Sequence, residues 1–429
     1  MKGKEFREES KKEEKDFTRE RKVGFVAVIC IIFNMIRKST QLELDEFREK
    51  FMTEAAKTTT YTKQAFSEAR QKLSPRAFTL LTDELIQGFY EDDDYKTYKG
   101  FRLLAIDGMV VEIPNNKETQ KQYGFVTNGD KNFKLARALS SQLMDIENKL
   151  VISSTLARYD ASERDLAKIN IEKILPWETP YSRDLILFDR GYPSAALIFY
   201  LQTRGIHFLM RVSSSFYNEV NHTATPDEWV EIVITKERAK ELKEQGTLIP
   251  VGTVLKIRVI KVKLSTGEIE TLITDLTAEE LSYEECKALY FKRWGIETRY
   301  DQLKNQFEVE NFSGVTPTVI EQDFYATILL SNMASLIEQD AHEEMQKKNA
   351  HKTLKYDEYK INHNILVGKL KNRLVEIILE EDNAKKDAMF QRLIAELERN
   401  IVAVIPGRSF KREKKSKANK YNNSKRRSL

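Results

Sequence analysis

The stretch Phe101-Arg102-Leu103-Leu104-Ala105-Ile106-Asp107-Gly108-Met109-Val110-Val111-Glu112-Ile113 divides the chain in two. Before it the apolar residues fall at helical spacing; after it, short apolar runs alternate with turn residues. Leu103 to Ile106 are continuously apolar, as in a strand buried on both faces. Asp107-Gly108 predicts a tight turn, and residues 109–113 a second strand. Further strands are predicted over 138–145, 150–159, 184–188 and 206–212. Ser162-Glu163-Arg164-Asp165 supplies a cap and early acids for a helix to about residue 175. Pro193-Ser194 opens another to about residue 203.

A run of strands followed by helix, strand, helix, strand predicts an α/β fold, antiparallel first and parallel after. That order matches an RNase H-like catalytic core. Residues 214–282 interrupt it with strands at 255–263 and 269–273 around the turn Ser265-Thr266-Gly267, a β-rich insertion. After Thr277 a single helix is predicted from about 279 past Lys304. Upstream, 23–98 reads as a helical domain that either binds DNA or simply packs. It holds the apolar helix 23–36, the series Leu42, Leu44, Phe47 and Phe51, a helix over 62–73, and Ser74-Pro75 opening another. Residues 1–22 read as a frayed or disordered leader. Downstream, 346–407 is helical, with one face at Leu366, Leu370, Leu374 and Ile377. The core is thus expected in two parts, 99–213 and 283–345.

Of the 429 residues 41% are hydrophobic, enough for a sizeable core and against wholesale disorder. The formal charge of +4 conceals a concentration. Residues 408–429 carry ten Lys/Arg and one Glu, a net of +9, leaving −5 for the rest. Such a tail suits a polyanion, and suits equally a solvated terminus. Two distant cysteines, Cys30 and Cys286, form no disulfide framework and fit a reduced intracellular setting. The longest apolar run, 23–36, is shorter than the ~20 residues that span a bilayer. No His pair has zinc-ligand spacing, and neither a phosphate-binding loop nor a serine elbow is present.

Metal-dependent phosphoryl transfer needs carboxylates converging from separate elements, because Mg²⁺ prefers oxygen ligands and takes few from protein. Asp107 and Asp189 each end an apolar strand, where ligands gather in such sheets. Each alone reads more readily as a turn residue. Tyr290, Arg293, Glu297 and Lys304, at i, i+3, i+7 and i+14, share a helix face. That face is either a metal carboxylate flanked by cations for phosphate or a solvated stripe with an Arg293–Glu297 salt bridge.

The pattern Tyr290-x2-Arg293-x3-Glu297-x6-Lys304 resembles the Tyr-Arg-Glu-Lys signature of bacterial DDE transposases of the insertion-sequence-four group. Leu104-Ala105-Ile106-Asp107-Gly108, Leu187-Phe188-Asp189-Arg190-Gly191-Tyr192 and Ser162-Glu163-Arg164-Asp165-Leu166 are similar to motifs of the same family. The resemblance spans roughly 20 to 375. It implies that Asp107, Asp189 and Glu297 bind two Mg²⁺ or Mn²⁺ ions. It implies that Tyr290, Arg293 and Lys304 contact transposon-end phosphates, and that Arg211 lies near the active-site DNA. It also implies end cleavage and strand transfer on double-stranded DNA by at least a homodimer, in the bacterial cytoplasm at the nucleoid. Some relatives hold a flipped base on an aromatic side chain late in the insertion. Here 231–282 contains no Trp, Phe or Tyr; Trp229, just before it, either substitutes or packs in the core, and Trp294 reads as a packing residue. A transposase-derived DNA-binding protein without cleavage activity and an RNase H-like nuclease are the competing readings.

Overall fold

The computed structural model describes residues 1, 3–19, 23–52, 61–91, 94–127, 133–175, 183–263, 267–351, 355–356 and 358–405. The basic tail 408–429, residues 20–22 of the leader and residues 265–266 of the predicted hairpin turn lie outside them.

The alternating segments build one mixed sheet. Its strands are β1 (Phe101–Glu112), β2 (Phe125–Val126), β3 (Leu135–Asp145), β4 (Leu150–Arg158), β5 (Arg183–Phe188), β6 (His207–Val212), β7 (Asp227–Val233), β8 (Val254–Lys263) and β9 (Ile269–Thr274). The order is β2-β3-β1-β5-β6-β9-β8-β7, with β4 also against β3. β1, β5 and β6 run parallel, and antiparallel pairs flank them on both sides. The segment expected as an insertion supplies β7 to β9, and these continue the sheet through the β6–β9 pairing.

Among the described residues the helices are α1 (Lys4–Glu9), α2 (Phe25–Phe33), α3 (Thr40–Phe51), α4 (Lys63–Lys72), α5 (Arg76–Glu91), α6 (Lys117–Tyr123), α7 (Glu163–Ile174), α8 (Ala195–Thr203), α9 (Asn218–Asn221), α10 (Lys236–Glu244), α11 (Tyr283–Lys292), α12 (Trp294–Asn305), α13 (Pro317–Asn349), α14 (His363–Leu379) and α15 (Asn383–Leu397). A two-stranded ribbon, β10 (Glu358–Ile361) with β11 (Ile401–Val404), accompanies the last of them. None of these helices is long and apolar enough to cross a membrane.

Strand parity separates two cores. Leu103, Ala105, Met109 and Val111 of β1, with Leu185 and Leu187 of β5, pack against α2, α12 and α13. Leu104, Ile106, Ile186 and Phe188 face the other way, against α7 and α8. α13 crosses the first face. Its Asn332, fully buried, accepts from the Val151 N–H and donates to the Val151 carbonyl, both at 2.8 Å. That contact sits at a register shift of the β3–β4 ladder, where β4 has a residue without a β3 partner.

Four expectations are corrected. Asp107-Gly108 is no turn: β1 runs through it, opposite Gln142 and Ser141 of β3. Continuous apolar runs on both sides outweigh the turn preference of the dipeptide, and Asp107 therefore sits inside a strand. The helix predicted from 279 past Lys304 is two helices that divide at Arg293. The helix carrying Leu366, Leu370 and Leu374 is kinked at Lys371-Asn372, where Asn372 takes φ +68°. The described part of the leader is pinned rather than frayed. Its Ser10 is buried and its carbonyl accepts from the Ser74 N–H at 2.8 Å.

Replacing Asn332 with Leu strands a buried N–H and a buried C=O. Denaturant unfolding is expected to show a loss of about 2–4 kcal/mol; an unchanged midpoint would mean that the Val151 groups find other partners.

Candidate active site

The last pair on the β1–β5 ladder is Ile106 with Phe188. Asp107 and Asp189 are therefore the next residues along two neighbouring parallel strands, which lie about 5 Å apart. Both have the parity of the first face, the one α12 covers. Tyr290 at the end of α11 reaches Asp189, its hydroxyl donating to Asp189 Oδ1 at 3.2 Å and the Phe188 carbonyl at 3.4 Å. Arg293, at the break between α11 and α12, is 4% exposed. Its Nη2 donates to Glu297 Oε1 at 2.7 Å and its Nη1 lies 3.7 Å from Asp107 Oδ2. The predicted Arg293–Glu297 salt bridge is thus present, and it forms a bridge between helix and strand.

The companions complete the face. Arg211 of β6 pairs with Asp189 at 3.1 Å and with Glu270 of β9 at 3.2 Å. Lys304 donates to the Val110 carbonyl at 2.7 Å and pairs with Glu310 at 2.9 Å. The acids therefore meet through cations. Among the described residues no three His, Cys, Asp or Glu side chains are grouped as a metal cage. Arg293 stands between Asp107 and Glu297, and mutual repulsion of the bare acids gives a physical reason for it.

Burial raises the Asp107 carboxyl to about 6. The Gly108 N–H, which donates to Asp107 Oδ1 at 2.9 Å, and Arg293 oppose that rise, while Glu163 and Asp189 add to it. The donor set fits a hard cation: carboxylates with unshared oxygens, held beside buried polar atoms that lack hydrogen-bond partners. Of these the Tyr192 hydroxyl suits the shell of a cation, while Nε and Nη1 of Arg293 are cationic donors that suit an anion.

Two aromatic expectations fail. Trp294 is 50% exposed and Trp229 39% exposed, so neither is a core residue. Trp294 directly follows the helix break and lies off the face that Arg293 and Glu297 share. Sequence reasoning also missed Tyr300, whose hydroxyl donates to the Asp107 carbonyl at 2.6 Å. Its position, three residues after Glu297 and four before Lys304, continues the same helical face and was the available signal. Glu163 and Arg164, expected only as part of the capped start of a helix, also reach this site: Glu163 lies against Gly108 and Arg164 donates to the Gly191 carbonyl.

Comparison with known proteins identifies the class. A family model described as a transposase DDE domain matches residues 98–333, more than half of the chain. The chain belongs to that family. It is 23% identical over 275 residues to the transposase InsG for insertion sequence element IS4 of Escherichia coli strain K12. That match covers 63% of this chain and 59% of the relative, so it spans less than two thirds of the relative's length. A solved piggyBac transposase synaptic complex with hairpin DNA aligns over 89% of this chain and 77% of its own, at 12% identity and a TM-score of 0.40, too slight a likeness to bear on the topology.

The raised Asp107 carboxyl has a stability consequence. Its proton is bound more tightly in the folded chain than in the unfolded one. The group therefore favours folding at acid pH and loses that contribution as pH rises through about 6. Asp107→Asn is expected to stabilise the chain in EDTA by roughly 1–3 kcal/mol at pH 8, with the gain shrinking toward pH 4. Thermal unfolding across that range checks it; a gain that grows on acidification would contradict the assignment.

Proposed function

We propose that this chain is a DNA transposase that cleaves transposon ends and joins them to target DNA, with Asp107, Asp189 and Glu297 holding two Mg²⁺ or Mn²⁺ ions. The observation that carries the reading is that Asp107 and Asp189 each directly follow the paired residues Ile106 and Phe188, with buried Arg293 linking Asp107 to Glu297. Family membership supports it. Bound divalent ions supply charge to the attacking and leaving oxygens of an in-line displacement.

The chain's own residues do the rest. Tyr290 orients Asp189, and Tyr300 fixes the β1 backbone under Asp107. Arg293 neutralises Asp107 and Glu297 while the cations are absent, and its unsatisfied Nε and Nη1 are donors for a phosphate oxygen. Arg211 and Lys304 add positive charge along the path of the DNA backbone. In the first stage water breaks a phosphodiester bond and leaves a 3′-hydroxyl. In the second that hydroxyl displaces the 3′-oxygen of a target phosphate, so bond number is conserved and no ATP is consumed. The reading includes an RNase H-like core in β1 to β6, a homodimer that pairs two ends, and action at the bacterial nucleoid.

The test is strand cleavage of a transposon-end duplex in Mg²⁺. Glu297→Gln is expected to lower cleavage by on the order of 10²–10³ while retaining end binding. EDTA should abolish wild-type cleavage, and Mn²⁺ should restore it. Equal cleavage by both proteins would remove Glu297 from the site, and end binding by a wild type that never cuts would leave a DNA-binding protein.

Lys304→Ala should weaken end binding and reduce the slope of log affinity against log salt by about 0.9 for a lost phosphate contact. An unchanged slope would confine Lys304 to its contacts with Val110 and Glu310.

A further inference from the structure

The first turn of α7 approaches β1 at the one position that allows it. A Cβ built on Gly108 would lie 2.8 Å from Glu163 Oε1 and 3.0 Å from its carboxyl carbon. Gly108 does not serve a turn: it is in mid-strand and not among the residues with positive φ. Its lack of a side chain instead lets the Glu163 carboxylate rest against the strand beside Asp107. Two hydrogen-bond systems hold Glu163 there. Ser162 caps α7 by accepting from the Asp165 N–H at 3.3 Å. Arg164 donates to the Gly191 carbonyl at 3.0 and 3.2 Å and to the Pro193 carbonyl at 3.4 Å. That clamp ties the start of α7 to the turn that follows Asp189.

Glu163 itself has no hydrogen bond or ion pair among the described residues and is open to solvent. A second feature points to a ligand at the same place. Tyr192 is 1% exposed, its hydroxyl has no partner, and the charges acting on it are those of Asp107, Glu163, Asp189 and Arg293. An acid serving only the α7 dipole would need no glycine opposite it, and Asp165 already fills that role in the same turn.

We propose that Glu163 is a fourth carboxylate of the metal site, contributing to divalent-cation binding from the face of the sheet opposite α12. The proposal rests on the metal-site reading given above. Four acids reaching β1 at Asp107 and Gly108 from two faces would surround a cation that Asp107, Asp189 and Glu297 approach from one side only. The unsatisfied Tyr192 hydroxyl would donate to an oxygen of that shell.

Mn²⁺ titration of the full chain without DNA, read by the electron paramagnetic resonance of free Mn²⁺, tests this apart from catalysis. Asp107→Asn is expected to lose the tight sites. Glu163→Gln is expected to weaken Mn²⁺ binding by roughly tenfold or more with the melting temperature in EDTA preserved. Gly108→Ala should reproduce the weakening by displacing the Glu163 carboxylate, and should add nothing in a Glu163→Gln background. This variant removes no acidic residue and covers the case in which Glu163→Gln fails to fold. If Asp107→Asn loses Mn²⁺ while Glu163→Gln and Gly108→Ala bind as wild type does, the fourth-carboxylate proposal is wrong and the three-acid reading stands. If Asp107→Asn also binds as wild type, the metal-site reading itself is wrong.

Discussion

Like charges converge only where something compensates their repulsion, and Arg293 is that compensation here. A guanidinium 4% exposed cannot be left unpaired, because the cost of removing an isolated charge from water is several kcal/mol. Its position at the junction of α11 and α12 gives it Glu297 on its own helix and Asp107 on β1. The two helices are thereby drawn onto the end of the parallel strands. Tyr290 and Tyr300 make the same junction with neutral donors, one to Asp189 and one to the backbone of Asp107. Tyr290, Arg293, Glu297, Tyr300 and Lys304 thus form a single seam between helix and sheet.

The parts of the fold that depend on side-chain period were legible in the sequence. β3 to β6, β8 and β9, and the helices after Ser162 and Ser194, fall within a few residues of their predicted bounds, because alternation and capping are local signals. What could not be read was set by distant partners. Asp-Gly is a turn dipeptide in isolation, and only β3 on one side and Glu163 on the other make it a strand with a required glycine. The break at Arg293 is marked only by Gly295 two residues on, and one glycine does not by itself end a helix. The leader looked too polar to order, yet its backbone pairs with Lys72 and Ser74 across the start of α5. In the site, one helical face located Tyr290, Arg293, Glu297 and Lys304, whereas Glu163 needed three-dimensional proximity to acquire a meaning.

Motif residues expected only to start a helix also place α7 against the sheet. Ser162 ends the approach, Arg164 fastens it to the Asp189 turn, and buried Ala167 and Ile171 anchor it in the second core. The second aspartate and the start of α7 consequently move together. A change in the 189–193 turn would be felt at Glu163 through Arg164, without passing through the sheet.

The helical region before β1 is bound to the same framework. Arg70 donates to Gln322 and pairs with Asp323 on α13, and Gln322 returns hydrogen bonds to the carbonyls of Arg70 and Leu73. Glu43, buried, accepts from the N–H groups of Arg37 and Lys38 and pairs with Lys371 at the kink of α14. Asn34 exchanges two hydrogen bonds with Asn372 at that kink, which accounts for an asparagine where φ is positive. Polar contacts of this kind tolerate little sliding, since a displaced partner leaves a buried group unsatisfied. The first helices are therefore held at a fixed distance from Asp107, because α13 contacts both α4 and the sheet that carries the acids.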